Sequence, residues 1–224
     1  MPNNKEKSKK SLFIAGVGNI GSSLIKLIEK DNSVEICGLI NSKKMIIDLK
    51  GIDCKNWKIK LENSIDADFN IFVDELTKIS RSIFVDLTDS RKISMETSKI
   101  LAKGTSVVAA NKIANSVKQE YYDDIRVSEL IGGSKFKYET NVGAGLPIIE
   151  TLKNLLITND KILKIEGVMS GTLSYLFSKY DGSIPFSRLI KIAMKSAYTE
   201  PDPRNDLNGL DVARKILILV RETG

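Results

Sequence analysis

The chain has no histidine, and this absence restricts its chemistry. Among its 224 residues there are no histidines, two cysteines and one tryptophan. Without an imidazole, any proton transfer near neutral pH must use lysine, aspartate, glutamate, tyrosine or cysteine. The two cysteines, Cys37 and Cys54, are too few for a disulfide framework or a zinc site, which predicts a reducing, cytoplasmic setting.

Long apolar runs are also missing. A hydrophobic content of 42% with 28% charged residues is typical of globular proteins, and no run is long enough to cross a bilayer, so no membrane partner is expected. Residues 1–10 are basic and precede an apolar stretch, as in a secretion signal. Glycines interrupt that stretch, so we interpret residues 1–10 as a disordered lead. The net charge of +6 is spread along the chain, which favours anionic small molecules over nucleic acid.

The first motif is SLFIAGVGNIGSSLIKLIEK, residues 11–30. An apolar strand runs into Gly16, Gly18 and Gly21, a helix with periodic apolar residues follows, and Val34–Ile40 is a second strand. Such glycines allow a tight turn, a backbone close to a pyrophosphate, and a helix packed against its strand. The motif predicts a dinucleotide site, with a purely structural glycine turn as the alternative.

The end of the second strand bears on the choice of cofactor. An NAD-binding unit carries an acid there for the ribose hydroxyls, whereas this chain has Asn41-Ser42-Lys43-Lys44. No carboxylate repels a 2′-phosphate, and two lysines are available to pair with one. The sequence therefore favours NADP(H), unless these lysines belong only to a solvated loop.

Two further strands end in polar residues. Ser82–Thr88 leads into Asp89-Ser90, and Ser106–Ala110 leads into Asn111-Lys112. Ligands of open α/β sheets bind at the carboxyl ends of strands, so these positions are candidates, although Lys112 is equally explained as a surface residue. The composition shifts after Gly132-Gly133, which predicts an α/β, Rossmann-type domain over residues 11–132 and a second domain over 133–224.

The second domain begins with a compact turn. Glycines and a proline between residues 143 and 147 precede a helix, and Glu139 stands just before them. Backbone carbonyls and this acid form a candidate cation site, and helix entry without an ion is the alternative. Further on, Ile165–Ser170 is interpreted as a hairpin-like element, and Ser170-Gly171-Thr172 as a helix N-cap or a group of amides for a substrate carboxylate.

The last stretch, Tyr198–Gly224, combines a proline-stiffened acidic loop with a helix from Leu210. The face expected to be buried comprises Leu210, Val212, Ala213, Ile216, Leu217 and Val220. Asp211 and Lys215 are one turn apart on the same stripe. They form either an ordinary surface salt bridge or, next to the acidic loop, a polar site with a lysine available for proton transfer.

These segments resemble the homoserine dehydrogenases, most closely the dehydrogenase part of the bifunctional aspartokinase/homoserine dehydrogenases. The similarity runs from Leu12 to Gly224 through GVGNIG, VDLTDS, AANK, YETNVGAGLPIIETLKNLL, GVMSGTLSY and YTEPDPRNDLNGLDVARK. The resemblance implies a Rossmann-type dinucleotide-binding domain followed by an incomplete α/β substrate and dimerisation domain. It also implies NADP(H)-dependent interconversion of L-aspartate 4-semialdehyde and L-homoserine, in threonine, methionine and isoleucine biosynthesis.

The resemblance further implies roles for individual residues. The implied cofactor-binding residues are Gly16, Gly18, Asn19, Ile20, Gly21, Asn41, Lys43, Thr88 and Lys112. The implied substrate-binding residues are Glu200, Asp206, Lys112, Thr172 and Tyr198, with Lys215 as proton donor and acceptor and Asp211 orienting it. The family's monovalent cation site, for Na⁺ or K⁺, would match Glu139 and the carbonyls of Val142, Ala144 and Leu146. The resemblance also implies a homo-oligomer, dimer or larger, and an aspartate kinase domain or partner.

The chain departs from the family pattern in places. Asp89, Ala109 and Ala197 replace residues usual in the family, and a negative Asp89 would sit unfavourably near a phosphate-bearing cofactor. Family members continue well past Gly224, which would leave the face from Ile216 to Val220 without its packing partners. Two hypotheses therefore remain: an NADP-linked dehydrogenase, or a truncated remnant that binds the dinucleotide without completing a productive site.

Overall fold

The computed structural model describes residues 9–196, 198–199 and 202–224. The chain divides into two compact units between Tyr138 and Glu139. This division falls later than the expected boundary at residues 132 and 133. The reason is that the strand Phe136–Lys137 pairs with the sheet of the first unit.

The first unit is a mixed α/β layer structure whose described strands form one seven-stranded sheet. The strands are β1 (Lys10–Ala15), β2 (Val34–Ile40), β3 (Lys44–Ile47), β4 (Ile65–Asp66), β5 (Ser82–Asp86), β6 (Ser106–Ala109) and β7 (Phe136–Lys137). Their order is β4-β3-β2-β1-β5-β6-β7. Strands β2, β1, β5, β6 and β7 run parallel, while β3 and β4 add antiparallel at one edge.

Helices connect the strands of the first unit. They are α1 (Asn19–Ile28), α2 (Trp57–Glu62), α3 (Phe69–Thr77), α4 (Arg91–Ser94), α5 (Thr97–Ala102), α6 (Ile113–Ser116) and α7 (Gln119–Gly132). Parallel strands buried on both faces need continuous apolar sequence, as β2 has in VEICGLI. Ile14, Ile25 and Leu39 pack in a core that joins α1 to the sheet, and Phe13 meets Phe72 of α3 edge-on at 5.4 Å.

The second unit contains helices and no strand among its described residues. They are a 3₁₀ turn (Glu139–Asn141), α8 (Ile148–Ile157), α9 (Gly171–Lys179), α10 (Phe186–Lys195), α11 (Arg204–Leu207) and α12 (Leu210–Thr223). The hairpin-like interpretation of Ile165–Ser170 was wrong, because residues 160–170 have no regular secondary structure. The N-cap prediction is confirmed: Ser170 Oγ accepts a hydrogen bond from Leu173 N at 3.1 Å.

Helix α12 buries a different stripe from the expected one. Ile218 and Leu219 are buried, whereas Ile216 and Val220 are about half exposed. Apolar residues occur almost all round this helix, so their spacing alone does not select the packed face. Ile216 and Val220 instead line a groove with the irregular segment 162–169. Within the described part of the chain, no helix is both long and apolar enough to cross a membrane.

Candidate functional site

The glycine turn after β1 is packed as a dinucleotide-binding turn requires. Gly16 has a φ of +92°, and a Cβ on it would lie 2.8 Å from the backbone of Leu87. A Cβ on Gly21 would lie 2.2 Å from Gly16 O, so the first turn of α1 rests directly on the loop. At Gly18 no described atom lies within 4 Å of the Cβ position. Gly16 and Gly21 are therefore required by packing, whereas the space beside Gly18 is open.

The start of α1 adds a second feature of such a turn. Its first intrahelical hydrogen bond runs from Ser22 N to Gly18 O, at 2.9 Å. The amides of Asn19, Ile20 and Gly21 therefore point out of the helix end, where an anion is favoured. Strand β1 lies between β2 and β5. The strands β2 to β4 extend the sheet on one side of β1, and β5 to β7 extend it on the other, so the strand order reverses at β1, which α1 follows. Dinucleotides bind at this switch point in open α/β sheets.

The turn between β2 and β3 distinguishes the two lysines. Asn41 Oδ1 accepts hydrogen bonds from Lys43 N at 2.8 Å and from Lys44 N at 2.7 Å, which fixes the turn. Lys44 Nζ bonds Asp66 Oδ1 at 3.0 Å and Ser64 O at 3.1 Å. The ammonium of Lys44 is therefore hydrogen-bonded to Asp66 of β4 and to Ser64, whereas Lys43 is exposed on the turn. The two lysines thus differ in their surroundings, and pairing with a phosphate stays a prediction.

The ends of β5 and β6 meet around a buried carboxylate that the sequence did not single out. Asp86, 1% exposed, accepts hydrogen bonds from Thr88 N at 2.9 Å, Thr88 Oγ1 at 2.7 Å and Asn111 Nδ2 at 3.0 Å. Burial raises the pKa of Asp86 to about 6, against the effect of these hydrogen bonds. Thr88 is thus held at the carboxyl edge, as expected, together with Asn111. Lys112 follows, partly exposed, just before α6.

The raised pKa of Asp86 predicts a pH-dependent stability. Between the ordinary value of 3.8 and about 6, the folded chain keeps a proton that the unfolded chain has lost. The free energy of unfolding should therefore fall as pH rises through this window, by up to about 3 kcal/mol. Asp86→Asn cannot titrate and should lack this decline. Urea unfolding at pH 4 to 7, followed by Trp57 fluorescence, measures the difference, and parallel pH profiles would contradict the prediction.

In the second unit, Asp211 and Lys215 form the predicted pair. Lys215 Nζ lies 2.8 Å from Asp211 Oδ2 and 2.7 Å from the carbonyl of Met169. The side chain of Lys215 is 16% exposed, and that of Asp211 33% exposed. The pair is therefore more enclosed than an ordinary surface salt bridge. The carbonyl of Met169 comes from the irregular segment that precedes α9, and it holds the ammonium in place.

A second polar cluster of this unit joins three of the predicted substrate residues. Thr172 Oγ1 lies 2.7 Å from Tyr198 O and 2.9 Å from Oδ1 of the buried Asp206. Tyr198 stacks on Tyr175 of α9, with ring centroids 4.4 Å apart. Thr172, Tyr198 and Asp206 thus lie together, and their role in substrate binding stays a prediction. Glu200, the other predicted substrate acid, lies outside the described residues.

The carboxylate of Glu139 is hydrogen-bonded to the first turn of α8. Its two carboxylate oxygens accept hydrogen bonds from Ile149 N at 2.7 Å and Glu150 N at 3.0 Å, at the start of α8. Leu146 O accepts a hydrogen bond from Ile148 N at 2.9 Å. The carboxylate of Glu139 therefore stabilises the start of α8. The cation site at Glu139, Val142, Ala144 and Leu146 stays a prediction.

The structure brings in three groups that sequence reasoning missed, namely Asp86, Met169 and Tyr175. Met169 contributes only its backbone carbonyl, a group that every residue has, so the sequence does not single it out. Tyr175 shows no periodic signal of its own. Asp86 had a signal, because a carboxylate inside the apolar strand SIFVD must find buried hydrogen-bond partners.

The parallel sheet, the glycine turn and the helix end define an NAD(P)-binding domain of the Rossmann type. The family model described as the homoserine dehydrogenase NAD binding domain matches residues 16–139, and the one described as homoserine dehydrogenase matches residues 147–224. The chain belongs to the homoserine dehydrogenase family, whose members are NAD(P)-dependent oxidoreductases.

Individual relatives agree with this assignment. The bifunctional aspartokinase/homoserine dehydrogenase of Haemophilus influenzae is 39% identical over 95% of this chain and 28% of its own length. The homoserine dehydrogenase of Schizosaccharomyces pombe is 38% identical over 96% of this chain and 62% of its own. A hyperthermophilic archaeal homoserine dehydrogenase in complex with NADPH has the same fold, with a TM-score of 0.81 at 22% identity, over 96% of this chain and 70% of that one. The chain thus spans less than two thirds of the length of these curated relatives.

Proposed function

We propose that this chain interconverts L-aspartate 4-semialdehyde and L-homoserine with NADP(H), as a step in threonine, methionine and isoleucine biosynthesis. The observation that carries the proposal is the enclosed ammonium of Lys215, held by Asp211 and Met169 O. Bound NADPH would supply a hydride to the aldehyde carbon, which leaves negative charge on the oxygen. In a chain without histidine, Lys215 is the group suited to donate the proton.

Other residues of the second unit also have parts in this proposal. Asp211 orients the ammonium and remains a carboxylate while the proton moves to the substrate oxygen. Asp206, with Glu200, binds the cationic amino group of the substrate through charge-assisted hydrogen bonds. Thr172 fixes Asp206 at 2.9 Å and ties it to the backbone of Tyr198, which lines the pocket.

The first unit supplies the proposed cofactor site. The amides at the start of α1 and the open space at Gly18 receive the pyrophosphate, and Thr88 lies at the nicotinamide half. Lys112, which follows Asn111, reaches the cofactor and substrate region. We further propose a cytoplasmic homo-oligomer with an aspartate kinase domain or partner, since the Haemophilus influenzae relative is bifunctional.

NADPH oxidation at 340 nm, dependent on aspartate semialdehyde, tests the proposed activity. The purified chain should oxidise NADPH only when the aldehyde is present, and the Lys215→Ala variant should not. Binding of NADPH without turnover would show that the dehydrogenase proposal is wrong for this chain. The remaining hypothesis would then be a dinucleotide-binding remnant.

The choice of NADPH over NADH is proposed to depend on Lys43. Lys43→Ala should weaken NADPH binding by about ten-fold, because one charge-assisted hydrogen bond to the 2′-phosphate is lost. NADH, which lacks that phosphate, should bind equally well to both proteins. Binding is measured by the fluorescence of the reduced nicotinamide.

Lys44→Ala is the matched control for Lys43. It removes the same charge one residue away, but the ammonium of Lys44 is bonded to Asp66 and Ser64 O. Lys44→Ala should therefore change NADPH affinity much less than Lys43→Ala. Equal effects of the two variants, or a strong preference of the native chain for NADH, would contradict the role of Lys43.

A further inference from the structure

Asp86 is a buried carboxylate to which the proposed mechanism gives no task. It is the last residue of β5, and its Cα pairs with Ala109, the last residue of β6. Both strands turn into loops directly after this pair. Taking a carboxylate out of water is unfavourable by several kcal/mol unless it is hydrogen-bonded. The three hydrogen bonds to Thr88 and Asn111 provide that compensation.

Asn111 completes the connection between the two loops. Asn111 is 4% exposed, and its Nδ2 donates to Asp86 Oδ2 at 3.0 Å and to Ser90 O at 3.1 Å. Its Oδ1 accepts from Ile113 N at 3.1 Å, at the start of α6. The backbone repeats the link, since Ala110 N donates to Asp86 O at 2.9 Å. The loops after β5 and β6 are therefore fastened to each other through one carboxylate and one amide.

The carboxylate also sets the direction of the Thr88 hydroxyl. An ionised carboxylate only accepts hydrogen bonds, so at a separation of 2.7 Å the proton of Thr88 Oγ1 must point to Asp86 Oδ1. Ser90 N donates to the same hydroxyl oxygen at 3.1 Å. Asn111 Nδ2 is a second donor to this oxygen, at 3.4 Å, so the neighbours of Thr88 hold its hydroxyl in one orientation.

We propose that Asp86 is a positioning residue for the nicotinamide half of the cofactor, acting through Thr88 and Asn111. The proposal rests on the proposed function, which places Thr88 at that half. Asp86 itself touches no ligand. It holds the two loops at one separation and fixes the orientation of the Thr88 hydroxyl.

The test compares two ligands that differ at the nicotinamide end. NADPH carries the nicotinamide, whereas 2′-phospho-ADP-ribose carries the adenosine, the pyrophosphate and the 2′-phosphate without it. Asp86→Asn places an amide group against the amide of Asn111 and weakens the side-chain link between the loops, while the backbone bond from Ala110 N remains. This variant should bind NADPH about ten-fold more weakly. Its affinity for 2′-phospho-ADP-ribose should be unchanged, as calorimetry of the full chain can show.

Ser82→Ala is the matched structural control. Ser82 Oγ lies 3.3 Å from Thr105 Oγ1 in a buried pair at the opposite ends of the same two strands. Its loss should lower stability without changing the affinity for either ligand. If Asp86→Asn does not fold, Asn111→Ala removes the other half of the link and should show the same selective loss.

The outcomes separate this proposal from the proposed function. Equal weakening of both ligands, or no weakening, overturns the positioning role while the dinucleotide site stands. Failure of the native chain to bind either ligand overturns both. Selective loss of NADPH affinity in the variants, without loss in Ser82→Ala, supports the role of Asp86.

Discussion

Replacement of Lys215 by alanine is expected to lower kcat for aspartate semialdehyde reduction by about 10² to 10⁴-fold, the usual contribution of a positioned proton donor. The expectation follows from the enclosed position of the ammonium, between Asp211 and Met169 O. Because Lys215 is proposed to act on the oxygen of the substrate, the Kd for NADPH should not change. Steady-state kinetics and nicotinamide fluorescence measure the two quantities separately.

Two further variants distinguish proton transfer from simple loss of charge. Lys215→Arg keeps a cation for Asp211, but a guanidinium does not release its proton near neutral pH, so turnover should still be lost. Lys164→Ala breaks an exposed ion pair of the same unit, at 2.7 Å from Glu166, and should leave turnover unchanged. Substantial activity in Lys215→Arg would show that Lys215 acts only through its charge.

The glycine turn and its flanking elements could be predicted because local chemistry determines them. Apolar residues before Gly16 and the periodic residues after Gly21 leave few alternatives to a strand, a turn and a helix. The strand Val34–Ile40 was predicted with the observed bounds, because a buried parallel strand is a continuous apolar run. The pair of Asp211 and Lys215 was predictable for the same reason, since helical spacing alone brings the two side chains together.

Other features depend on contacts between distant residues, which a single sequence does not show. The apolar residues of Ile165–Ser170 suggested a strand, but no partner strand is present among the described residues of that unit. Lys43 and Lys44 are adjacent and chemically identical, and only the pairing of β3 with β4 brings Asp66 to Lys44. In α12 the buried residues are Ile218 and Leu219, and the helix contacts α8, which the spacing of apolar residues does not show. The connection from Asp86 to Asn111 spans 25 positions and requires the register of β5 with β6.

Alanine substitutions at two glycines of the same turn are expected to affect different properties: Gly21→Ala should lower stability, and Gly18→Ala should lower NADPH affinity. Gly21→Ala places a Cβ 2.2 Å from the backbone oxygen of Gly16, which no side-chain rotation can relieve. This variant should lose about 3 kcal/mol or more of unfolding free energy, at the upper end of overpacking effects. Trp57, the single tryptophan of the chain, lies in the core of the first unit and reports its unfolding.

Gly18→Ala is the matched partner of this experiment. Gly18 has a φ of −71°, and its Cβ would enter space that no described atom occupies within 4 Å, so stability should change by less than about 1 kcal/mol. NADPH affinity should nevertheless fall by about ten-fold or more, because the methyl group would keep the pyrophosphate from the amides of α1. A Gly18→Ala variant that binds NADPH normally would mean that the open side of the turn does not face the cofactor. The motif would then be a structural turn, since Gly16 and Gly21 are required by packing alone.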